Sequence, residues 1–267
     1  MHRFVPGLVA VSSLATLIFT PVEAPAQTEK AAGSGMAAVV ARHEAAVVSV
    51  KSVASMKMSF GGREATEEQQ ENECSGIVVS PAGLVLVSLS GVDPSDMFGE
   101  MMKEMGEESD QMTFSAEIKS LTIRLPDGSE VPAEVAIRDR DVDIAVLKPR
   151  VQLPAPLKHV DLSDSADVSL LDEVILISRL GKSGSWTTVA DVDRVKGVLT
   201  KPRKMYFLPF SVSGEDSDVG ALVLTADGKV VGIQTYHRVA SSGTSKSGYY
   251  LVVMPAKELL PVVRQVQ

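Results

Sequence analysis

The chain has 267 residues, 45% of them hydrophobic, and a formal charge of -8. That is enough apolar material for one large or two small cores. An acidic chain with no block of Lys and Arg argues against nucleic acid or an anionic membrane surface as a partner. One cysteine, Cys74, excludes an intrachain disulfide and sits in an apolar run, so it reads as an inert buried thiol.

In chain order, His2-Arg3, the apolar stretch Phe4 to Thr20 and Ala24-Pro25-Ala26 have the layout of a cleavable secretory signal over residues 1–26. Cleavage after Ala26 would leave a periplasmic or secreted protein with no stable membrane insertion. Residues 27–37 are small and polar and predict a disordered lead-in. Met36 to Ala46 predicts a short helix and Val47 to Val53 a first strand. His43 falls in that helix with no other site feature around it. Met58 to Asn72, with Gly61-Gly62 and a Glu/Gln run, predicts a polar loop.

Ser75 to Val79, the turn Ser80-Pro81-Ala82-Gly83 and Leu84 to Leu89 predict a hairpin. Residues 93–116 carry Met97, Met101, Met102, Met105 and Met112, with Pro94 to Gly106 a candidate helix. A flap packed on the domain, a protein-binding surface of adaptable methionines and a thioether site for a soft metal all remain open for it. Pro126-Asp127-Gly128 joins strands at Glu117 to Leu125 and Glu130 to Arg138. The Pro-rich stretch Val151 to Pro156 divides a first half, 38–150, from a second, 151–267. In the second half, strands are expected at Glu173 to Ser178, as a pair within Ser185 to Leu199, and at Lys204 to Val212. A hairpin about Asp227-Gly228 follows, then a strand at Gly248 to Val253 and a closing helix from Pro255 to Val266. His237 lies at the start of a polar loop and reads as a rim residue.

Three stretches carry a resemblance. Gly76, Ser80, Gly83, Leu84 and Leu86 match the pattern G-S-G-F-I-I-S-x-D-G-L-I-L-T-N-A-H-V-V. D-R-D-V-D-I-A-V-L-K (139–148) matches D-x-x-T-D-L-A-V-L-K, and G-E-D-S-D-V-G-A-L (214–222) matches G-N-S-G-G-P/A-L. These patterns resemble the HtrA/Deg group of trypsin-like serine proteases. The resemblance implies an all-β fold of two six-stranded antiparallel barrels with short terminal helices. PDZ modules often follow this domain in that group; none is expected here, after the closing helix.

The resemblance also carries the catalytic triad onto Ser90, Asp143 and Asp218, with Asp216, Ser217, Val219 and Gly220 in the loop around the former nucleophile. Serine stands where the imidazole belongs, and aspartate where the attacking hydroxyl belongs. Acyl transfer needs a proton-accepting imidazole, a hydroxyl and amides aimed at the oxyanion. A carboxylate at 218 is a poor nucleophile and opposes the developing negative charge. A β-branched Val219 is ill suited to that loop if its φ must be positive.

The leading expectation is therefore a catalytically inactive homologue that binds unfolded or extended protein or peptide, without cofactor or metal. An active serine endopeptidase of the HtrA/Deg type is the alternative. A hydrolase or cation-dependent module built on Asp143 and Asp218, and a purely structural barrel, are further readings. Oligomeric state is left open.

Overall fold

The computed structural model describes residues 26–61, 66–93, 95, 98–99, 112–208, 219–239 and 248–266. Helix α1 (Ala26–His43) runs into a 3-10 turn at Glu44–Ala46. The lead-in expected to be disordered is thus helical. Its alanine-rich sequence has enough helix propensity to outweigh Gly33 and Gly35.

Six strands close the first barrel: β1 (Val47–Phe60), β2 (Thr66–Val78), β3 (Val85–Ser88), β4 (Met112–Arg124), β5 (Glu130–Asp139) and β6 (Ile144–Pro149). They run in the order β1-β2-β3-β6-β5-β4. A four-residue helix, α2 (Leu89–Val92), follows β3, and Ser88 Oγ accepts from the Gly91 amide at its start. Strand alternation places Val48, Val50, Val85, Val87, Ala145 and Leu147 inside this barrel. Their neighbours Val47, Leu86, Ile144 and Val146 face the other way, into a core shared with the second half. Both faces of these strands are buried, which is why they read as continuous apolar runs rather than alternating ones.

The polar loop expected over Met58 to Asn72 is instead paired strand. β1 continues to Phe60, and β2 pairs with it from Thr66 onward, in register Lys57 to Glu67 and Lys51 to Glu73. β4 flanks the other side of β1 out to Met112, so Met112 to Ala116, assigned from sequence to the methionine-rich insertion, is strand. The three strands form an arm beyond the barrel. Its polar face carries ion pairs Lys51–Glu71 and Lys57–Glu67, and its other face is touched by the insertion where the Phe98 and Phe114 rings lie 5.6 Å apart. The rest of the helix expected at Pro94 to Gly106 lies largely outside the described residues.

The second half is a curled sheet of seven strands: β7 (Glu173–Arg179), β8 (Thr188–Arg194), β9 (Gly197–Leu199), β10 (Met205–Phe207), β11 (Leu222–Thr225), β12 (Val230–Val239) and β13 (Gly248–Pro255). Their order is β8-β7-β11-β12-β13-β10-β9. The fold is the expected trypsin-like pair of barrel units, with one difference: among the described residues this sheet does not close between β8 and β9. These two strands, expected to pair with each other, pair with β7 and β10 instead. The short link between them turns away, with the Val195 amide on Asp172 O and the Lys196 amide on Phe207 O. Helix α3 (Ala256–Val263) closes the chain and buries Ala256, Leu259 and Val263.

Among the polar ties between the halves, two side chains each make several. Arg179 on β7 donates from Nε to Val47 O at 2.5 Å, and from its Nη atoms to Trp186 O and Glu44 O, both at 3.2 Å. Glu73 on β2 accepts from Ser49 Oγ, the Lys182 amide and Trp186 Nε1. The Arg124 guanidinium lies 3.6 Å over the Trp186 ring, a favourable cation–π arrangement.

Candidate functional site

The site expected from sequence lies where the end of β3, the start of β6 and the middle of β12 meet. Asp143 is buried, and its backbone is left-handed with φ 54°. It sits in the turn before β6, and its carbonyl accepts the Leu89 amide at 2.9 Å. Its side chain therefore points under α2, where Ser88 and Ser90 flank Leu89.

The carboxylate receives four donors. Oδ1 accepts the Ser90 amide at 2.8 Å and Ser90 Oγ at 2.6 Å. Oδ2 accepts Ser88 Oγ at 2.5 Å and the Tyr236 amide of β12 at 3.0 Å. Burial is the largest influence on this group and pushes its pKa up from the ordinary carboxylate value. The bonds from Ser88, Ser90 and Tyr236 pull the other way without overcoming it.

Ser90 and Asp143 are thus brought together as sequence predicts, but as hydroxyl and carboxylate already satisfied by each other. Two partners escaped the sequence reading. Ser88 was visible only as a second serine at i-2 across a short helix start, and the Tyr236 donor is a backbone amide, which no side-chain pattern announces.

Of the nucleophile loop, Asp216, Ser217 and Asp218 lie outside the described residues; Val219 and Gly220 do not. The Gly220 backbone has φ +86°, and a Cβ there would lie 1.8 Å from Ser75 O. Only glycine fits this approach of the second half to β2. The neighbouring bonds fix it further: the Ser75 amide donates to Val219 O, and the Gly220 amide to Gln234 O.

Val219 does not carry the strain anticipated for it. It is absent from the left-handed positions among the described residues. Its side chain is buried beside Gly91, where an added Cβ would meet Val219 Cγ1 at 3.3 Å and Cys74 Sγ at 3.0 Å. The valine fills a contact between the halves. Cys74 next to it is buried, and its thiol is pushed up to about 12 by burial first and by the Asp143 charge second. It is held as a neutral thiol.

The three histidines among the described residues lie elsewhere. His43 ends α1 beside the Asp227-Gly228 turn, its pKa lowered by burial and then by Arg42. His159 is exposed, with Nδ1 3.1 Å from Leu157 O. His237 pairs across the sheet with Tyr250 and is lowered by burial and by Arg203. Among the described residues none of the three is hydrogen-bonded to a serine, and no group of three acidic, His or Cys side chains converges to hold a metal ion.

Two barrel units with an aspartate at their junction define the class as a trypsin-like peptidase fold. Residues 74–233 match the trypsin-like peptidase domain family, more than half of the chain, and the chain belongs to that family. It is 24% identical over 214 residues to the serine protease Do-like HtrA of Bacillus subtilis (strain 168), covering 70% of this chain and 46% of the relative. The chain thus spans about half the length of that protein. Similar solved structures include the apo MamO protease domain of Magnetospirillum magneticum, with TM-score 0.50 and 17% identity, covering 83% of this chain and 97% of that one. A serine-to-alanine variant of the HtrA-type protease AlgW, solved with a decapeptide, gives TM-score 0.55 at 16% identity, covering 86% of this chain and 66% of that one. At these identities the structures speak for the fold alone. Among the described residues no helix is long and apolar enough to cross a membrane.

Proposed function

We propose that this HtrA-like domain engages extended or unfolded protein without hydrolysing it, as an exported binding or scaffolding module. The observation that carries the reading is the saturated Asp143 carboxylate. Its four donors are two serine hydroxyls and two amides. In a working triad that carboxylate orients an imidazole, and the imidazole takes the proton of the attacking hydroxyl. Here a serine hydroxyl occupies that place. A hydroxyl has no lone pair basic enough to accept a proton from another hydroxyl near neutral pH. The aspartate at sequence position 218 removes the attacking group as well.

The binding half of the reading is supported by the kept architecture, since peptides can be received along strand edges without chemistry. Export is supported by the signal-like composition of residues 1–26. The test is incubation of the purified chain with denatured, fluorescently labelled casein, read by anisotropy and by gel. Retention of the substrate with no cleavage is the expected result. Cleavage abolished by a serine-directed covalent reagent would establish the active-protease alternative, and absence of both retention and cleavage would remove the binding role.

A further inference from the structure

The margin left open in the second sheet runs along β8. In register, Ser178, Leu176 and Val174 of β7 stand opposite Val189, Asp191 and Asp193. Just beyond the two ends of this pairing, the Leu180 amide donates to Thr187 O and the Val195 amide to Asp172 O, both at 3.0 Å. Opposed pairs in an antiparallel ladder are hydrogen-bonded alternately. Counted in twos from either end, Val189, Asp191 and Asp193 bond to β7, so the amides of Ala190, Val192 and Arg194 point away from it. Among the described residues no strand pairs with that outer side, and all three residues are exposed. A row of outward amides and carbonyls beside a β-branched apolar side chain, Val192 at 46% exposure, is a template for another strand.

Two of the three outward amides are already taken. Asp191 Oδ1 accepts the Val192 amide at 2.8 Å, and Asp193 Oδ1 accepts the Arg194 amide at 2.7 Å. Each aspartate bends back on the amide that directly follows it. Asp193 is fixed further by Lys196 Nζ, 2.8 Å from its Oδ2. The same two residues stand opposite Leu176 and Val174, which belong to the apolar core of the second half. Residues directly opposite each other share a face, so both carboxylates sit on the core side of the sheet at its open margin. A strand laid along β8 would have to break two hydrogen bonds to charged acceptors and shut both carboxylates off from water.

We infer that Asp191 and Asp193 guard the open edge of β8 and keep a second copy of this chain from adding its own β8 there. A second copy is the partner such a guard must exclude first, because it carries the identical edge, and two identical edges can pair antiparallel about a two-fold axis. The two carboxylates do at this margin what pairing between β8 and β9 would do in a closed barrel.

The test is sedimentation velocity of the full chain over a concentration series, with each variant compared with the unvaried chain. Asp191→Ala with Asp193→Ala frees both amides and is expected to raise the self-association constant at least about tenfold. Asp191→Asn with Asp193→Asn keeps an acceptor for each amide while removing the charge, and is expected to associate less than the alanine form. Adding Val192→Pro to the alanine pair removes an outward donor without touching the bonds to β7, and is expected to restore the unvaried behaviour. Far-UV circular dichroism and thermal melting of every variant separate added pairing from loss of fold; should the alanine pair fail to fold, the single substitutions carry the same comparison. The inference is overturned if the folded alanine form associates no more than the unvaried chain. It is equally overturned if the asparagine form associates as strongly as the alanine form, since charge alone would then be the guard, or if the proline form still associates, since the contact would then lie elsewhere.

Discussion

The Ser90 hydroxyl lies 2.6 Å from Oδ1 of Asp143, and the Ser90 amide reaches the same oxygen at 2.8 Å. One residue thus meets the buried carboxylate twice, through its backbone and its side chain. Ser88 and Tyr236 complete the set on Oδ2.

Removing a donor leaves a buried carboxylate short of a partner. Ser90→Ala and Ser88→Ala should each lower stability by about 1–3 kcal/mol. Because both hydroxyls serve one carboxylate, the double substitution should depart from the sum of the singles. Urea unfolding of the four proteins measures this; additive losses would show that the two hydroxyls act separately.

The pH dependence has a definite sign. Burial raises the folded pKa of Asp143 above its ordinary value of 3.8, so above that pH the folded chain holds the proton more tightly than the unfolded chain. The contribution of this group is fully present below the ordinary value and is lost as pH rises through the folded value. The stability of the wild type relative to Asp143→Asn should therefore fall as pH is raised from below 3.8 towards neutrality. Chemical denaturation of both proteins at a series of pH values tests it, and a difference that grows with pH would contradict it.

Val219→Gly, towards the family pattern, and Gly220→Ala, away from it, should both lower stability. Val219→Gly restores the protease-like residue but removes a buried side chain that packs beside Gly91. It should cost about 2 kcal/mol or more from lost burial and added backbone freedom. Gly220→Ala puts a Cβ against Ser75 O at a positive φ and should cost at least about 2 kcal/mol. Thermal melts decide both; a neutral Val219→Gly would mean the space beside Gly91 collapses freely.

Arg179 donates to three carbonyls, two of them, Val47 O and Glu44 O, in the first half. Arg179→Ala should destabilise by about 2–4 kcal/mol, since hydrogen bonds from charged groups are worth more than neutral ones. Arg179→Lys should recover little, because an ammonium cannot reproduce the planar fork. Equilibrium unfolding followed separately by Trp186 fluorescence and far-UV signal would show whether the halves uncouple.

Much of this was legible in sequence because glycine, proline and apolar runs mark hairpins. The Asp127-Gly128 and Asp227-Gly228 turns fall as expected, and the D-V-D-I-A-V-L pattern placed Asp143. The arm was not legible: Thr66 to Asn72 is rich in Glu and Gln, which reads as loop, yet Lys51 and Lys57 neutralise Glu71 and Glu67 across the strands. The open edge between β8 and β9 was also hidden, because strand propensity does not say which neighbour a strand chooses. At the site, residue types gave Ser90 and Asp143, whereas the role of Val219 depended on a backbone angle and a neighbour distant in sequence.

The carboxylate of Asp143 draws donors from both halves of the molecule, so it anchors the junction whether or not a peptide bond is ever cut. Natural selection for a sound fold is then sufficient to preserve an aspartate at this place, with or without hydrolysis. An aspartate kept at such a junction is a record of architecture and by itself no testimony to turnover.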